Sequence, residues 1–144
     1  MIAIGSDHAG YISKEKLKEC FENNITYKDF GTESEESCDY PLIAERVAKS
    51  VASGECEQGI LICGSGIGMS IVANKVKGVR AALCGNVELA KLSRMHNNAN
   101  ILCLGARMTD FEEIKEIIKV FLETSFEGGR HQKRVDQISE VENR

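Results

Sequence analysis

Short apolar runs alternate along this chain with longer segments in which apolar residues recur at helical spacing. Met1–Gly5, Thr26–Phe30, Gly59–Cys63, Val79–Cys84 and Asn100–Leu104 predict strands. Gly10–Asn23, Tyr40–Ser53, Gly68–Lys75, Val87–Met95 and Asp110–Thr124 predict the helices between them. In the last of these, Ile114, Ile117, Ile118 and Phe121 share one face. Strand–helix alternation with short links implies a parallel sheet covered on both faces. Five strands fit a small doubly wound α/β domain. Such sheets bind ligands beyond the carboxyl ends of their strands. Residues able to do chemistry follow four of the predicted strands: Ser6-Asp7-His8, Cys63 with its glycine loop, Gly85-Asn86 and Gly105-Ala106-Arg107.

The end of the chain departs from this rhythm. Gly128-Gly129 breaks the preceding helix, and Arg130–Glu142 predicts one more. The arm over residues 127–144 has too little apolar surface to stand alone, so it is expected to dock on the body or on a second subunit. One domain over residues 1–144 is the expected organisation. Hydrophobic content of 42% and charged content of 28% are ordinary for a soluble globular protein. A net charge of −4 argues against general nucleic-acid binding, which needs a basic surface. No apolar run has the length of a membrane span, and Met1 leads into a strand instead of a signal peptide. A cytoplasmic location is therefore expected. The six cysteines contain no CxxC pair, so zinc-ribbon and thioredoxin readings lack their signature. Apart from Cys63 they are expected to be reduced and mostly small buried hydrophobes.

Cys63 begins the most informative stretch. In GILICGSGIGMS, a buried strand ends on the thiol, and glycines at 64, 66 and 68 lead into a helix. Glycines let a backbone turn sharply and approach a ligand closely. Free N–H groups at a helix start stabilise an anion, or an oxyanion formed during reaction. The loop is not a dinucleotide fingerprint: Met69 stands where the third glycine of GxGxxG is needed, and no acidic residue ends the following strand. No GK[ST] follows, which excludes a Walker loop. A small anionic ligand fits better than a nucleotide. The alternative is that Cys63 is a buried strand residue like Cys84 or Cys103.

Other residues offer parts of the same chemistry. Asp7 beside His8 could relay protons near neutral pH, or could merely cap the next helix beside a surface histidine. Arg130 and Arg134 lie four apart and share a helical face, flanked by His131 and Lys133. Paired guanidiniums suit a phosphate dianion, although a solvated basic patch is the plain alternative. His96-Asn97-Asn98 precedes the fifth strand, where His96 could instead satisfy the last carbonyls of its helix. Arg107 could be a simple loop charge. Taken together, the set supplies a phosphate anchor, a base, an oxyanion cradle and proton carriers, with no metal site and no complete cofactor motif. Proton transfer next to a carbonyl on a phosphorylated sugar uses each part without a cofactor.

The stretches GSDHAG, DYP at Asp39–Pro41, ILICGSGIGMSIVANK, RMHNNAN, LGAR and EGGRHQKRV, spread over almost the whole chain, resemble the sugar-phosphate isomerases of the ribose-5-phosphate isomerase B type. The wider family includes allose-6-phosphate and galactose-6-phosphate isomerases. The resemblance implies a Rossmann-like α/β/α sandwich, a homodimer or dimer of dimers, and an active site at the subunit interface. It implies that Cys63 is the base for the C2 proton. Ser65 and the loop from Gly64 through Gly66, Ile67, Gly68, Met69 and Ser70 then hold the enediolate. Asp7 and His96 open the furanose ring, with His96 and Asn97 coming from the neighbouring subunit. His8, Arg130 and Arg134 grip the phosphate, helped by Arg107 of the partner, and Tyr40 lies near the sugar. One branch of the family uses a glutamate where this chain has Met69 and lacks the thiol, so Cys63 puts this chain in the cysteine branch. The implied reaction is the interconversion of ribose 5-phosphate and ribulose 5-phosphate in the non-oxidative pentose phosphate pathway. A six-carbon sugar phosphate is the near alternative, and a non-catalytic sugar-phosphate sensor the distant one.

Overall fold

The computed structural model describes residues 1–21 and 23–144. Five parallel strands form the sheet: β1 (Ile2–Ser6), β2 (Tyr27–Asp29), β3 (Gln58–Cys63), β4 (Ala81–Leu83) and β5 (Ile101–Gly105). Their order is β2-β1-β3-β5-β4. The helices are α1 (Tyr11–Phe21), α2 (Tyr40–Ala52), α3 (Ile67–Ala73), α4 (Val87–Asn97), α5 (Phe111–Glu123) and α6 (Arg130–Glu142). Each expected strand and helix is present; the last helix has the expected ends and the others are shifted by one to a few residues. The expected extension of the first helix to Asn23 runs through Glu22, which lies outside the described residues.

Alternation along the central strands divides the core in two. Ile4, Ile60, Ile62, Leu102 and Leu104 pack with α1, α4 and α5, including the expected α5 stripe of Ile114, Ile117, Ile118 and Phe121. Ala3, Leu61, Cys63, Ile101 and Cys103 face the other way, toward α2 and α3. The result is a Rossmann-like three-layer sandwich. Full burial of one such Ile or Phe contributes roughly 1.5–3 kcal/mol, so the α5 stripe alone is a major tie to the sheet.

Two features of the topology position the chemistry. From β1 the chain turns outward to β2, whereas β3 starts the other half, so the strand order reverses between β1 and β3. The turn after β1 and the glycine loop after β3 therefore flank the crevice where such folds take ligands. β5 inserts between β3 and β4, and Gly105 pairs directly with Cys63. The arm docks on the body: His131 and Val135 of α6 are buried, and the Glu142 carboxylate accepts the Gly78 amide at 3.2 Å.

The sheet edge carries a charge cluster that the periodicity did not reveal. Lys14, 1% exposed, donates to Asp29 at 2.6 Å and to Glu15 at 3.2 Å, and Lys18 bridges to the same two carboxylates at 3.0 and 3.1 Å. Burial pushes the Asp29 carboxyl up, but hydrogen bonds from Lys14, the Gly31 amide and Lys18 outweigh it and hold it below its ordinary value. A lowered folded-state pKa contributes stability above the unfolded value, and that stability is lost as pH falls through the folded value. Asp29→Ala is expected to cost about 3 kcal/mol, the low end for breaking a buried pair, because Glu15 still faces Lys14. Denaturant titrations should show this loss at pH 7 and a smaller difference from wild type below the carboxylate range.

Candidate active site

Cys63 ends β3 with its side chain 5% exposed. The Gly66 amide donates to its Sγ at 3.1 Å, so the sulfur stands as an acceptor against the loop backbone. Gly66 has φ +82, and a Cβ there would lie 2.5 Å from Leu83 Cδ1, so only glycine gives the chain this turn. Ser65 Oγ accepts from the Ile67 amide at 3.2 Å, and Ser70 Oγ donates to the Ile67 carbonyl at 2.7 Å. Among the described residues, the Gly68 and Met69 amides find no hydrogen-bond acceptor. They are two open donors of the loop. The Met69 side chain is fully buried, so that residue can meet a ligand only through its backbone. Tyr40, at the start of α2, lies across Gly68: a Cβ there would meet its ring at 2.4 Å.

The turn after β1 closes the other wall. Asp7, 6% exposed, accepts the Ala9 amide at 2.9 Å and the Gly10 amide at 3.2 Å through Oδ1. Its own amide donates to the Ile62 carbonyl, tying the turn to β3. His8 accepts the Cys38 amide at Nδ1, 3.3 Å away. The adjacency of Asp7 and His8 therefore produces no hydrogen bond between them. Successive residues of an extended turn point apart, and each side chain is held by a different backbone amide.

Arg107 completes this end of the sheet. Its amide donates to the Gly64 carbonyl, and its side chain lies over Gly64 of its own chain, 3.2 Å from where a Cβ would stand. The resemblance implied that Arg107 reaches the phosphate from a partner; in a single chain it flanks the chain's own thiol loop.

His96, Asn97, Arg130 and Arg134 lie elsewhere. α4 runs from the carboxyl end of β4 back to the amino end of β5, and His96 and Asn97 occupy its last turn. Among the described residues, His96 makes no hydrogen bond to the helix carbonyls. Arg80 does, donating from Nε to the carbonyls of Asn97 and Asn98, while Arg94 donates to those of Ala99 and Thr124. The His96 ring instead stacks on His131, with centroids 4.2 Å apart. Arg130 and Arg134 open α6 beside this pair and are exposed. One chain thus carries the thiol, loop, Asp7 and His8 at the carboxyl end of the sheet, and the second histidine and paired arginines at the amino end.

The other cysteines are less uniform than expected. Cys56, Cys84 and Cys103 are buried, but Cys38 is half-buried and Cys20 is exposed on α1. Burial pushes the Cys84 and Cys103 thiols up, and neighbouring Cys63 and Cys84 push Cys103 further, so both stay protonated.

The model of the Ribose/Galactose Isomerase family matches residues 2–138. The chain belongs to that family. Ribose-5-phosphate isomerase B of Escherichia coli is 46% identical over 144 residues, covering 99% of this chain and 97% of the relative. A Clostridium thermocellum ribose-5-phosphate isomerase B structure superposes with a TM-score of 0.97 at 48% identity, covering 99% of this chain and 97% of that one. A Mycoplasma genitalium ribose-5-phosphate isomerase B with bound ribulose 5-phosphate superposes with a TM-score of 0.94 at 42% identity, covering 99% and 95%. This member of the Ribose/Galactose Isomerase family thus shares its fold with those enzymes along nearly its whole length.

Sequence reasoning did not assign Arg80 and Arg94 to the end of α4. Their burial among backbone carbonyls, and the desolvation that lowers both their pKa values, arise only from tertiary packing. The packing of Tyr40 against Gly68 was equally hidden, because the two stand 28 residues apart in sequence.

Proposed function

We propose that the protein interconverts ribose 5-phosphate and ribulose 5-phosphate through an enediolate, with Cys63 as the base. The observation that carries this reading is the Cys63 sulfur set against the Gly66 amide at 3.1 Å, beside the Gly68 and Met69 amides, which find no acceptor among the described residues. Membership of the family and the identity of its relatives support the substrate class. Arg130, Arg134 and His8 hold the phosphate, and Asp7 and His96 move the protons that open the furanose ring. The Cys63 thiolate takes the C2 proton. The electron pair of that bond forms the C1–C2 double bond, and the C1 carbonyl oxygen becomes the enediolate oxygen. The loop amides and Ser65 receive this charge; removing one such donor typically costs about 10²–10³ in rate. The O2 proton passes to O1 as the C2 carbonyl forms, and the Cys63 thiol returns its proton to C1.

The site is built from two copies of the chain. His96, Asn97, Arg130 and Arg134 lie at the opposite end of the sheet from Cys63, which favours their delivery by a partner. Ile67, Leu83, Val87 and Met108 expose apolar surface at the carboxyl ends of the strands, between 38% and 75% exposed, as a self-association face would. Six free cysteines and no helix long and apolar enough to cross a membrane, among the described residues, fit a cytoplasmic enzyme.

A coupled assay with ribose 5-phosphate and allose 6-phosphate tests the substrate. Turnover of ribose 5-phosphate at a kcat/KM well above that for the six-carbon sugar is expected. The reverse preference, or turnover of neither, contradicts the reading.

A further inference from the structure

We propose that His131 is a positioning residue for ring opening, which holds the His96 imidazole by face stacking. This rests on the ring-opening role given to His96 above. The His131 ring lies parallel to that of His96, 13° from coplanar orientation, with centroids 4.2 Å apart. His131 itself is 5% exposed and cannot turn freely. It sits in the first turn of α6, whose far end is fixed by Glu142 on the Gly78 amide. The backbone also clamps the other side: Glu127 donates its amide to the Met95 carbonyl, one residue before His96. His96 thus has a rigid flat surface behind it, and its ring plane is set by a neighbour on a different helix.

The charges around His131 favour its neutral form. Two imidazoliums stacked this closely would repel. His131 faces Arg130 and Arg134 of its own helix and His96 of α4, with only Glu127 opposing at 3.8 Å from Nε2. Burial first, then His96 and Arg130, push its pKa down, which keeps the His131 imidazole neutral near pH 7. Its Nε2 is buried and finds no hydrogen-bond partner among the described residues. His96, Glu127 and His131 also bring ligand atoms within 4.8 Å of one another. The lone pairs of the two rings lie in nearly parallel planes, though, and lone pairs in separate parallel planes do not converge on one ion, so the arrangement favours stacking over chelation.

Ring opening and carbon-acid chemistry can be read separately, which makes the role testable. Ribulose 5-phosphate cannot close to a furanose, because its C5 oxygen carries the phosphate. Exchange of its C1 hydrogen with D2O through Cys63 therefore needs no ring step. The experiment measures turnover of ribose 5-phosphate, and deuterium exchange into ribulose 5-phosphate, for wild type, His131→Ala and His131→Phe. His131→Ala is expected to lower kcat on ribose 5-phosphate by about tenfold or more, part of the range for a displaced acid–base group, with exchange near the wild-type rate. His131→Phe restores a flat ring without a nitrogen and should bring kcat back to within about threefold of wild type. Equal turnover in all three proteins overturns the proposal. So does loss of exchange together with turnover in His131→Ala, which marks a general structural role, and so does failure of His131→Phe to recover. Wild type that converts no ribose 5-phosphate would contradict the substrate reading instead, and that outcome is separate from the others.

Discussion

Cys63→Ala is expected to abolish isomerisation while leaving sugar-phosphate binding nearly intact. The alanine removes the only thiol at the carboxyl end of β3, and the loop keeps its turn because Gly66 is shaped by φ +82 and by Leu83 and Leu104, not by the sulfur. The Gly66 amide loses one acceptor, a net loss of about 1 kcal/mol, too little to unfold a domain of this size. On the proposed mechanism the chemical step loses its base outright. Removal of a positioned base or nucleophile typically costs about 10²–10⁴ or more in rate. Titration calorimetry with ribulose 5-phosphate should give a Kd close to that of wild type, and a coupled assay should give no measurable kcat. Weak binding together with lost activity would mean that the thiol shapes the pocket. Cys103→Ala is the matched control: that thiol is fully buried and kept protonated, and its loss should leave kcat in place at some cost in stability.

Two inactive variants are expected to recover activity when mixed. If each site joins Cys63 of one copy to His96 of another, a hybrid of Cys63→Ala and His96→Asn subunits holds one intact site and one site with both changes. Random reassociation to dimers makes about half of the assemblies hybrid, and each hybrid carries half of the wild-type sites, so about a quarter of wild-type activity should return. The recovery should require denaturation and refolding together, or long incubation that exchanges subunits. No recovery after demonstrated exchange would place all catalytic groups within one chain. The opposite placement of Cys63 and His96 along the strand direction in a single chain makes that outcome the harder one to reconcile with the fold.

Much of this was legible in the sequence because local rules and the global fold agree. Ile114, Ile117, Ile118 and Phe121 recur at helical spacing, and all four are buried against the sheet. Gly128-Gly129 marks the break before α6, where both glycines take positive φ. Cys63 was singled out by a strand running into a glycine turn, and the turn exists as read. What the sequence left obscure depends on distance along the chain. Asp7 and His8 are neighbours that do not bond, because their partners are the amides of Ala9, Gly10 and Cys38. Nothing local marks Lys14 for burial; it is buried where Asp29, fifteen residues away on β2, meets it. His131 read as part of a basic run, and only the docking of α6 against α4 turns its ring onto His96. The strand order, with β5 inserted beside β3, also cannot be read from alternation, although it decides that Gly105 and Arg107 border the thiol loop.

The most direct test follows hydrogen at carbon. Ribulose 5-phosphate incubated in D2O with wild type should gain deuterium at C1, and with Cys63→Ala it should gain none while still binding. Exchange at the wild-type rate in the Cys63→Ala protein would show that another group takes the proton, and the sulfur would lose its place at the centre of the mechanism.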